Sequence, residues 1–349
     1  MKIEKNFYGR LKNGTDVHSF TITNDSGAYI ELIDYGATLN KIVVPDKNGK
    51  MLDVLVGFDT VEGQELCTDS QGRTVGRVAN RIAGKGITID GKNYQITKNV
   101  DGKFTLHSNH EYETVVWSSE ILGDSKVVFT YHSPDGAEGF PGEVDNEVEF
   151  SFTEDNTVFI EYSCTPTEKC PLNITNHAYF NLNGFDGGQI VDHEVQLFCD
   201  AYTPTDWDAI PTGEVRDVTG TAFDFRKPKK IGRDVAEKDE QLIIGRGYDH
   251  NFAISGYDGE ECKKFAVVRS EQSGITMEAF TDLPGVQFYI GNFMNGTQIG
   301  KAGKPLEYRS GFCLETQYFP DAANHEEFIS NIFTPDKPFS SITAYRFSK

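Results

Sequence analysis

The sequence predicts an all-β protein of antiparallel strands, arranged as a sandwich or a barrel. Short segments with apolar side chains at alternate positions recur along the chain, which is typical of strands with one buried face. Turn-forming residues, among them many of the 34 glycines, separate these segments. Helical periodicity is nearly absent, since only residues 61–68 and 235–243 offer a turn or two of helix. These features together favour an all-β fold with few short helices.

The predicted strands follow one another from end to end of the chain. In order, they cover residues 17–23, 29–33, 38–44, 51–56, 115–122, 126–131, 147–153, 158–163, 194–198, 250–254, 264–269, 275–281, 286–290, 311–318 and 341–347. Asp90 and Gly91 lie inside I-T-I-D-G-K-N-Y-Q-I and predict a two-residue hairpin turn, and D-K-N-G at 46–49 predicts another turn. No repeat or linker interrupts the pattern, so we expect residues 1–349 to form one domain.

Two irregular stretches stand apart from the strands. Residues 200–225 form a long segment rich in turn-forming and aromatic residues, and such loops are usually functional or disordered. The aromatic residues favour an ordered, packed loop. Residues 71–82 contain glycines but lack both G-x-x-x-x-G-K-[ST] and G-x-G-x-x-G, so they give little support to a nucleotide site.

Composition excludes several classes of function. The formal charge of −20 repels phosphate backbones and anionic membranes, which argues against nucleic-acid and membrane partners. The start M-K-I-E-K-N has no apolar signal region, and no apolar run is long enough to span a bilayer. The six cysteines are scattered without zinc-site spacing, which favours free thiols in a reducing compartment. We therefore expect a cytoplasmic globular protein.

The segment N-I-T-N-H-A-Y-F-N-L at 173–182 is the strongest candidate for chemistry. In a strand, successive side chains point to opposite faces. One face then carries Asn173, Thr175, His177, Tyr179 and Asn181. The other carries Ile174, Asn176, Ala178, Phe180 and Leu182. A row of uncharged hydrogen-bonding groups around one imidazole suits a neutral polyhydroxylated ligand, but an ordinary solvated strand face has the same pattern, so both interpretations stay open.

Glu315 is the second candidate. In G-F-C-L-E-T-Q it shares a predicted strand face with Gly311, Cys313 and Gln317, and apolar residues surround it. Partial burial would raise the pKa of the carboxyl group and make it a better base. Most isolated glutamates are solvated instead, and the apolar neighbours weigh against that alternative here.

Other polar residues are each compatible with a ligand contact or with a satisfied polar group at a strand end. They are Asn80, Arg81, His107, Asp249 and Gln287. A metal site has little support, because the one close histidine pair, His107 and His110, lacks an acidic or thiolate partner at a recognisable spacing. The chain also has no G-x-S-x-G motif for a serine nucleophile.

Several segments together resemble the aldose 1-epimerase, or galactose mutarotase, family. The matching segments are G-R-V-A-N-R-I at 76–82, T-L-H at 105–107, P-D-G-A-E-G-F-P-G at 134–142, N-I-T-N-H-A-Y-F-N-L at 173–182, D-A-Y-T-P-T-D at 200–206, I-P-T-G-E at 210–214, Y-D-H-N-F at 248–252, G-V-Q-F-Y-I-G-N-F at 285–293 and G-F-C-L-E-T-Q-Y-F-P-D-A at 311–322. They span nearly the whole chain in the family's order. No single segment is decisive, and the resemblance rests on all of them.

The resemblance implies a large antiparallel β-supersandwich with a sugar cleft on one sheet face. His177 then corresponds to the general acid and Glu315 to the general base. The positions that correspond to sugar contacts are Asn80, Arg81, His107, Tyr179, Asp249 and Gln287. The chain departs from the family at residues 108–110, where S-N-H replaces the glycines that usually follow the histidine, and this leaves the loop shape and the sugar preference open.

The implied reaction is the exchange of α and β anomers of free aldohexoses, such as D-galactose and D-glucose, without a cofactor. Glu315 would accept the proton of the anomeric hydroxyl while His177 donates one to the ring oxygen. A neighbouring carboxylate is expected to raise the pKa of His177 above its usual value near 6.5. A glycoside hydrolase that uses Glu315 with Asp249, and a non-catalytic sugar-binding protein, are the alternatives. The sequence leaves monomer and homodimer equally open.

Overall fold

The computed structural model describes residues 1–349, and most of its regular structure is β-strand. The strands are β1 Lys2–Arg10, β2 Asp16–Thr23, β3 Tyr29–Ile33, β4 Thr38–Pro45, β5 Met51–Asp53, β6 Leu55–Val56, β7 Thr74–Val75, β8 Arg81–Ile82, β9 Ile87–Ile89, β10 Lys92–Tyr94, β11 Thr105–Leu106, β12 Ser118–Leu122, β13 Lys126–Ser133, β14 Val144–Phe152, β15 Thr157–Pro166, β16 Cys170–Pro171, β17 Thr175–Asn176, β18 Tyr179–Phe180, β19 Glu194–Leu197, β20 Cys199–Tyr202, β21 Arg216–Asp217, β22 Lys229–Lys230, β23 Asp249–Ile254, β24 Lys263–Arg269, β25 Thr276–Thr281, β26 Gly285–Tyr289, β27 Cys313–Gln317, β28 Ile332–Phe333 and β29 Phe339–Ser348. The helices are α1 Val61–Leu66 and α2 Glu240–Ile244, with 3₁₀-type turns at His107–His110, Tyr112–Thr114, Ala137–Gly139, Lys301–Gly303 and Ala322–Asn324.

Three sheets contain most of the strands. A nine-stranded sheet has the order β12-β13-β14-β15-β29-β25-β24-β19-β22. Two five-stranded sheets have the orders β1-β2-β3-β4-β5 and β21-β20-β23-β26-β27, and the remaining strands form two-stranded pairs. All strand pairs within the three larger sheets are antiparallel. The all-β antiparallel prediction is therefore confirmed.

One apolar core joins the sheets. It is a cluster of 64 buried residues that includes side chains from β2, β3 and β4, from the nine-stranded sheet, and from β23, β26 and β27. The alternating burial along β15, with every second side chain buried, shows the period-two pattern from which the strands were predicted. No helix combines the length and apolar character needed to cross a bilayer.

Most predicted strands are present with small shifts at their ends, but one predicted strand and one predicted helix need correction, and the first strand was missed. The predicted strand 51–56 is two strands, β5 and β6, which pair with different partners. Strand β1 has no apolar alternation, because most of its side chains are exposed at the sheet edge, and so the sequence pattern missed it. The predicted helix 235–243 begins only at Glu240, since Asp239 caps it by accepting hydrogen bonds from the N–H groups of Gln241 and Leu242.

Both predicted turns are confirmed, and so is the packing of the long loop. In the D-K-N-G turn between β4 and β5, Gly49 N donates to Asp46 O at 2.9 Å. Asp90 and Gly91 have φ values of 50° and 79° and join the antiparallel strands β9 and β10, as a primed two-residue turn requires. The long loop after β20 is ordered and packed. Its Phe223 is buried and stacks on Tyr202 with ring centroids 4.3 Å apart.

The segment 173–182 is not the continuous strand that alternation predicted. Strand β17 pairs with β7 and strand β18 pairs with β6, so the chain changes partners around His177. The His177 backbone bridges the change, donating to Arg73 O and accepting from Gly72 N, each at 2.9 Å. Side chains on both sides of this segment are buried, so it has no solvated face.

Candidate active site

One cavity brings together all eight residues that the sequence singled out. Its volume is about 270 Å³, close to the lower end of the range of small-molecule sites. Its walls are formed by Thr68, Asp69, Ser70, Asn80, Arg81, Leu106, His107, His110, His177, Tyr179, Asp249, Gln287, Tyr289, Phe293 and Glu315. Polar side chains dominate this lining, as a polyhydroxylated ligand would need.

Three neighbouring strands supply one wall of the cavity. In strand register, Glu315 on β27 lies opposite Gln287 on β26, and Asp249 on β23 lies opposite Tyr289 two residues further along β26. Side chains two residues apart on a strand share a face, so these positions project to the same side of the sheet. The alternation predicted for Glu315 is confirmed, and it is the sheet register that brings the three polar groups together.

The side chains of His177 and Glu315 lie next to each other in the cavity wall. His177 Nε2 lies 3.5 Å from Glu315 Oε2, and their side chains are only 8% and 3% exposed. The contact is too loose for a hydrogen bond, and Glu315 Oε2 has no hydrogen-bond partner although it is buried. A buried carboxylate oxygen without a partner is costly, which marks this atom as a contact point for a ligand.

Burial pushes both members of this pair towards their neutral forms. It raises the pKa of Glu315 well above its usual value, and the nearby carboxyl of Asp249 adds to the rise. Burial lowers the pKa of His177 to about 4, outweighing the nearby carboxylates of Glu113 and Asp69. The expected rise in the pKa of Glu315 is therefore confirmed. The expected rise in the pKa of His177 is wrong, because desolvation destabilises the imidazolium more than the nearby carboxylates stabilise it.

Packing fixes the plane of the His177 ring. The ring stacks on Tyr179 with centroids 5.0 Å apart and an interplanar angle of 14°. The other ring nitrogen of His177, Nδ1, lies 3.5 Å from Cys313 Sγ. The aromatic contact and the thiol contact together leave Nε2 as the nitrogen directed at Glu315.

A left-handed turn follows β11 and carries His107 into the cavity wall. Residues 107–110 all have positive φ values, between 46° and 63°, which is a strained conformation for residues other than glycine. Ser108 Oγ holds the turn by accepting from Val78 N at 2.8 Å and donating to Val78 O at 3.0 Å, and Asn109 Nδ2 donates to Glu138. Side-chain hydrogen bonds thus hold the turn that glycines would adopt without strain.

The hydrogen bonds of His107 determine which ring nitrogen carries its proton. Its Nδ1 accepts from the backbone N–H of Asn80 at 3.1 Å, and Asn80 also has positive φ. Burial lowers the pKa of His107 well below its usual value, so the ring is neutral and its proton is on Nε2.

This tautomer argues against a metal ion at the site. Ligand atoms of His107, His177 and Glu315 lie within 4.8 Å of one another, close enough to share a cation. A histidine ligand needs a free lone pair on the nitrogen that faces the metal. His107 presents an N–H there instead, which suits a hydroxyl oxygen.

Asp249 and Gln287 form a connected polar group on the sheet wall that also carries Glu315. Gln287 Nε2 donates to Asp249 Oδ1 at 2.7 Å, and Gln287 Oε1 accepts from Gln317 at 3.3 Å. Burial raises the pKa of Asp249, while the charge of Arg81 opposes the rise. The Nε atom of Arg81 is buried without a partner, so it is a donor available to a ligand.

The asparagines of the 173–182 segment turn out to be structural. Asn173 Nδ2 donates to Tyr318 O, and Asn181 Nδ2 donates to Gly188 O and Ser310 O. Asn176, which alternation placed on the apolar face without a role, donates to Gly72 O at 2.7 Å. These three residues therefore hold the backbone of the segment, while His177 and Tyr179 face the cavity.

Sequence reasoning missed the cavity-lining role of seven residues. They are Thr68, Asp69, Ser70, Leu106, His110, Tyr289 and Phe293. Leu106, Tyr289 and Phe293 lie within the resembling segments, but none of the seven has a distinctive motif. His110 was the one with a signal, since it belongs to the S-N-H departure from the family pattern.

Comparisons with known proteins agree with this geometry. A family described as Aldose 1-epimerase matches residues 18–346. Galactose mutarotase of Bos taurus is 38% identical over 350 residues, covering 100% of this chain and 99% of that protein. Aldose 1-epimerase of Escherichia coli (strain K12) is 33% identical over 338 residues, covering 96% of each. The solved structure of an aldose epimerase homologue from C. elegans has a TM-score of 0.85 at 30% identity, covering 94% of this chain and 98% of that one.

Proposed function

This chain belongs to the aldose 1-epimerase family and is an isomerase, and we propose that it exchanges sugar anomers by acid–base catalysis through His177 and Glu315. The observation that carries the proposal is the 3.5 Å separation of His177 Nε2 and Glu315 Oε2 in the wall of one cavity. The anomeric hydroxyl and the ring oxygen of a pyranose are bonded to the same carbon. Two proton-transfer groups at this separation can therefore serve both oxygens of one bound sugar.

The reaction moves two protons and breaks one bond. Glu315 removes the proton from the anomeric hydroxyl as the C1–O5 bond breaks, and His177 gives a proton to O5, which leaves an open-chain aldehyde. After rotation about C1–C2, the O5 hydroxyl attacks the other face of the aldehyde and both protons return. Because the two transfers accompany bond cleavage, neither an alkoxide nor an oxonium has to exist free in a poorly solvated site. Each transfer contributes about 10² to 10⁴ in rate.

The buried pair holds the single proton that this cycle needs. Because the pKa of Glu315 is raised and that of His177 is lowered to about 4, a proton shared by the pair favours Glu315 in the sugar-free protein. The proposed roles require this proton on His177, so a bound sugar must favour the ionised arrangement. Hydrogen bonds from sugar hydroxyls to the partnerless Glu315 Oε2 stabilise its carboxylate and supply that bias.

The remaining predicted residues hold the sugar in place. We assign them as sugar contacts because each lines the cavity and has a polar group or ring directed at it: Asn80, Arg81, His107, Tyr179, Asp249 and Gln287. Contacts to several hydroxyls at once position C1 between the two proton-transfer groups. The sugar is then held in the orientation that the reaction needs.

Polarimetry tests the proposal directly. Freshly dissolved α-D-galactose or α-D-glucose is expected to relax to its equilibrium rotation faster with the protein than in buffer. A glycoside hydrolase acting through Glu315 and Asp249 would leave His177 without a task. Relaxation at the buffer rate, together with release of reducing sugar from a glycoside, would replace the epimerase mechanism with that alternative. Sugar binding with neither activity would favour a non-catalytic binding protein.

The broader setting of the protein is proposed on more general grounds. The substrate is a free sugar, and we propose that residues 1–349 act as one domain, since one core cluster runs from Phe20 to Phe347. The six cysteines carry free thiols, four of them buried, which supports the expected cytoplasmic location. No nucleic acid or membrane partner is proposed, and the working form is a monomer or a homodimer.

A further inference from the structure

We propose that His110 is a further substrate-positioning residue, which donates a hydrogen bond from the cavity wall to a sugar hydroxyl remote from C1. The inference rests on the proposed function, because it assigns His110 to the same bound sugar. It concerns the S-N-H segment at 108–110, which directly follows His107.

The geometry leaves one ring nitrogen of His110 free. His110 lines the cavity, and its side chain is 34% exposed. Its Nδ1 lies 2.9 Å from Glu113 Oε1, and the Glu113 side chain is only 1% exposed. Since Nδ1 is engaged by a buried carboxylate, Nε2 is the nitrogen that can contact a ligand.

The surrounding backbone holds this imidazole in position. His110 is the last residue of the left-handed turn, with a φ value of 63°. Ser108 fixes the middle of the turn to Val78, and the carbonyl of His110 accepts from Thr114 Oγ1 at 3.1 Å. A side chain fixed at both its backbone and its ring loses little freedom on binding, so a contact from it is effective in positioning a ligand.

The charges that face His110 favour its protonated form. The hydrogen bond with Glu113 raises the pKa of His110, Asp69 adds to the rise, and burial and the charge of Arg73 oppose it. For Glu113, burial opposes ionisation, but the His110 hydrogen bond and charge and the charge of Arg73 prevail and lower its pKa. A protonated His110 donates through both ring nitrogens.

Ring positions place this donor away from the reacting carbon. The ring of His107 lies 5.3 Å from that of His177 and 6.2 Å from that of His110. His107 is therefore a neighbour of both the proposed acid and His110. A sugar whose ring oxygen meets His177 presents to His110 a hydroxyl from the part of the ring distant from C1.

The test measures sugar binding rather than turnover, so that it remains informative if the catalytic proposal fails. Calorimetry would compare D-galactose with its 3-deoxy, 4-deoxy and 6-deoxy forms on the wild type and on His110→Ala. We expect His110→Ala to weaken galactose binding about tenfold, the effect of losing one hydrogen bond from a charged donor. One deoxy sugar should bind the wild type about as weakly as galactose binds the variant, and His110→Ala should not weaken it further.

Two further variants separate positioning from folding. His110→Gln keeps a donor group and is expected to restore part of the lost affinity for galactose. His132→Ala removes a histidine paired with Asp145 at 2.7 Å on a strand outside the cavity, and it should bind every sugar as the wild type does. Equal weakening for galactose and all three deoxy sugars, or galactose affinity within twofold of the wild type, would overturn the inference. Slow anomerisation by a wild type that binds sugar normally would count against the proposed catalysis alone.

Discussion

Two histidines of the cavity wall, His177 and His110, each lie beside a buried carboxylate, and the electrostatics of the two pairs are opposite. His177 and Glu315 approach to 3.5 Å without a hydrogen bond, and both are shifted towards their neutral forms. His110 and Glu113 form a 2.9 Å contact, and both are shifted towards their charged forms. Both carboxylates are almost fully buried, so burial alone cannot explain the difference.

Local partners explain it. Glu113 has the charge of Arg73 nearby and a hydrogen bond to His110, whose side chain is still one-third exposed to water. For Glu315, burial and the like charge of Asp249 outweigh the opposing charge of Arg81, and the two histidines beside it, His177 and His107, are both buried. An ion pair forms where neighbouring groups stabilise the charged forms more than burial destabilises them. Where burial has the larger effect, the two groups stay close to their neutral forms and can exchange a proton with a ligand. The first pair is thus suited to holding a ligand, and the second to exchanging protons with it.

Glu315→Gln is expected to have the largest effect, because it removes the proposed base. The rate constant kcat should fall by at least about 10² to 10⁴, while galactose binding and the fold are largely retained. Glutamine has the shape of the neutral carboxyl, the form towards which burial shifts Glu315. Polarimetry would give kcat, and calorimetry would give affinity. Near-normal turnover in this variant would remove Glu315 from the role of base.

The matched change in the other pair, Glu113→Gln, should act on stability instead. It removes a buried carboxylate that is held in its charged form, so the free energy of unfolding should fall by about 1.5 to 3 kcal/mol. Urea unfolding of the two glutamine variants and the wild type at neutral pH would measure the contrast. Equal losses of stability in both variants would show that the two pairs do not differ as described.

The smallest expected effect is a difference in titration between the two histidines. In the sugar-free protein, nitrogen NMR of the imidazoles should show His177 neutral from neutral pH down to about 4. His110 should be still protonated above 6.5, since its pKa is raised. A cationic His177 at neutral pH would show that the carboxylate of Glu315 overcomes desolvation even before a sugar binds.

The two shifts also predict opposite effects of pH on stability. For His177, the unfolded imidazole titrates near 6.5 and the folded one near 4, so its contribution makes the protein less stable as pH falls across that interval. For His110, the raised folded pKa adds stability that is full below 6.5 and is lost as pH rises through the folded value. Unfolding curves of His177→Gln and His110→Gln across this range would separate the two contributions.

Much of the architecture could be predicted from local sequence. Alternation located most of the strands, because each half-buried strand repeats its pattern every two residues. It failed at β1, which is mostly exposed, and at 173–182, where burial on every side removes the contrast between faces. Asn176 shows the limit most clearly, since its amide bonds to Gly72 O, a partner 104 residues away along the chain.

The sequence by itself determined which groups are available for chemistry and which family they resemble. His177, Glu315 and the six proposed contact residues all follow from the sequence, and one cavity contains them all. The tertiary structure alone decided where their protons lie. A pKa depends on burial and on neighbours brought together by folding, so the lowered value of His177, the raised one of Glu315 and the ion pair of His110 with Glu113 follow from three-dimensional packing and not from sequence.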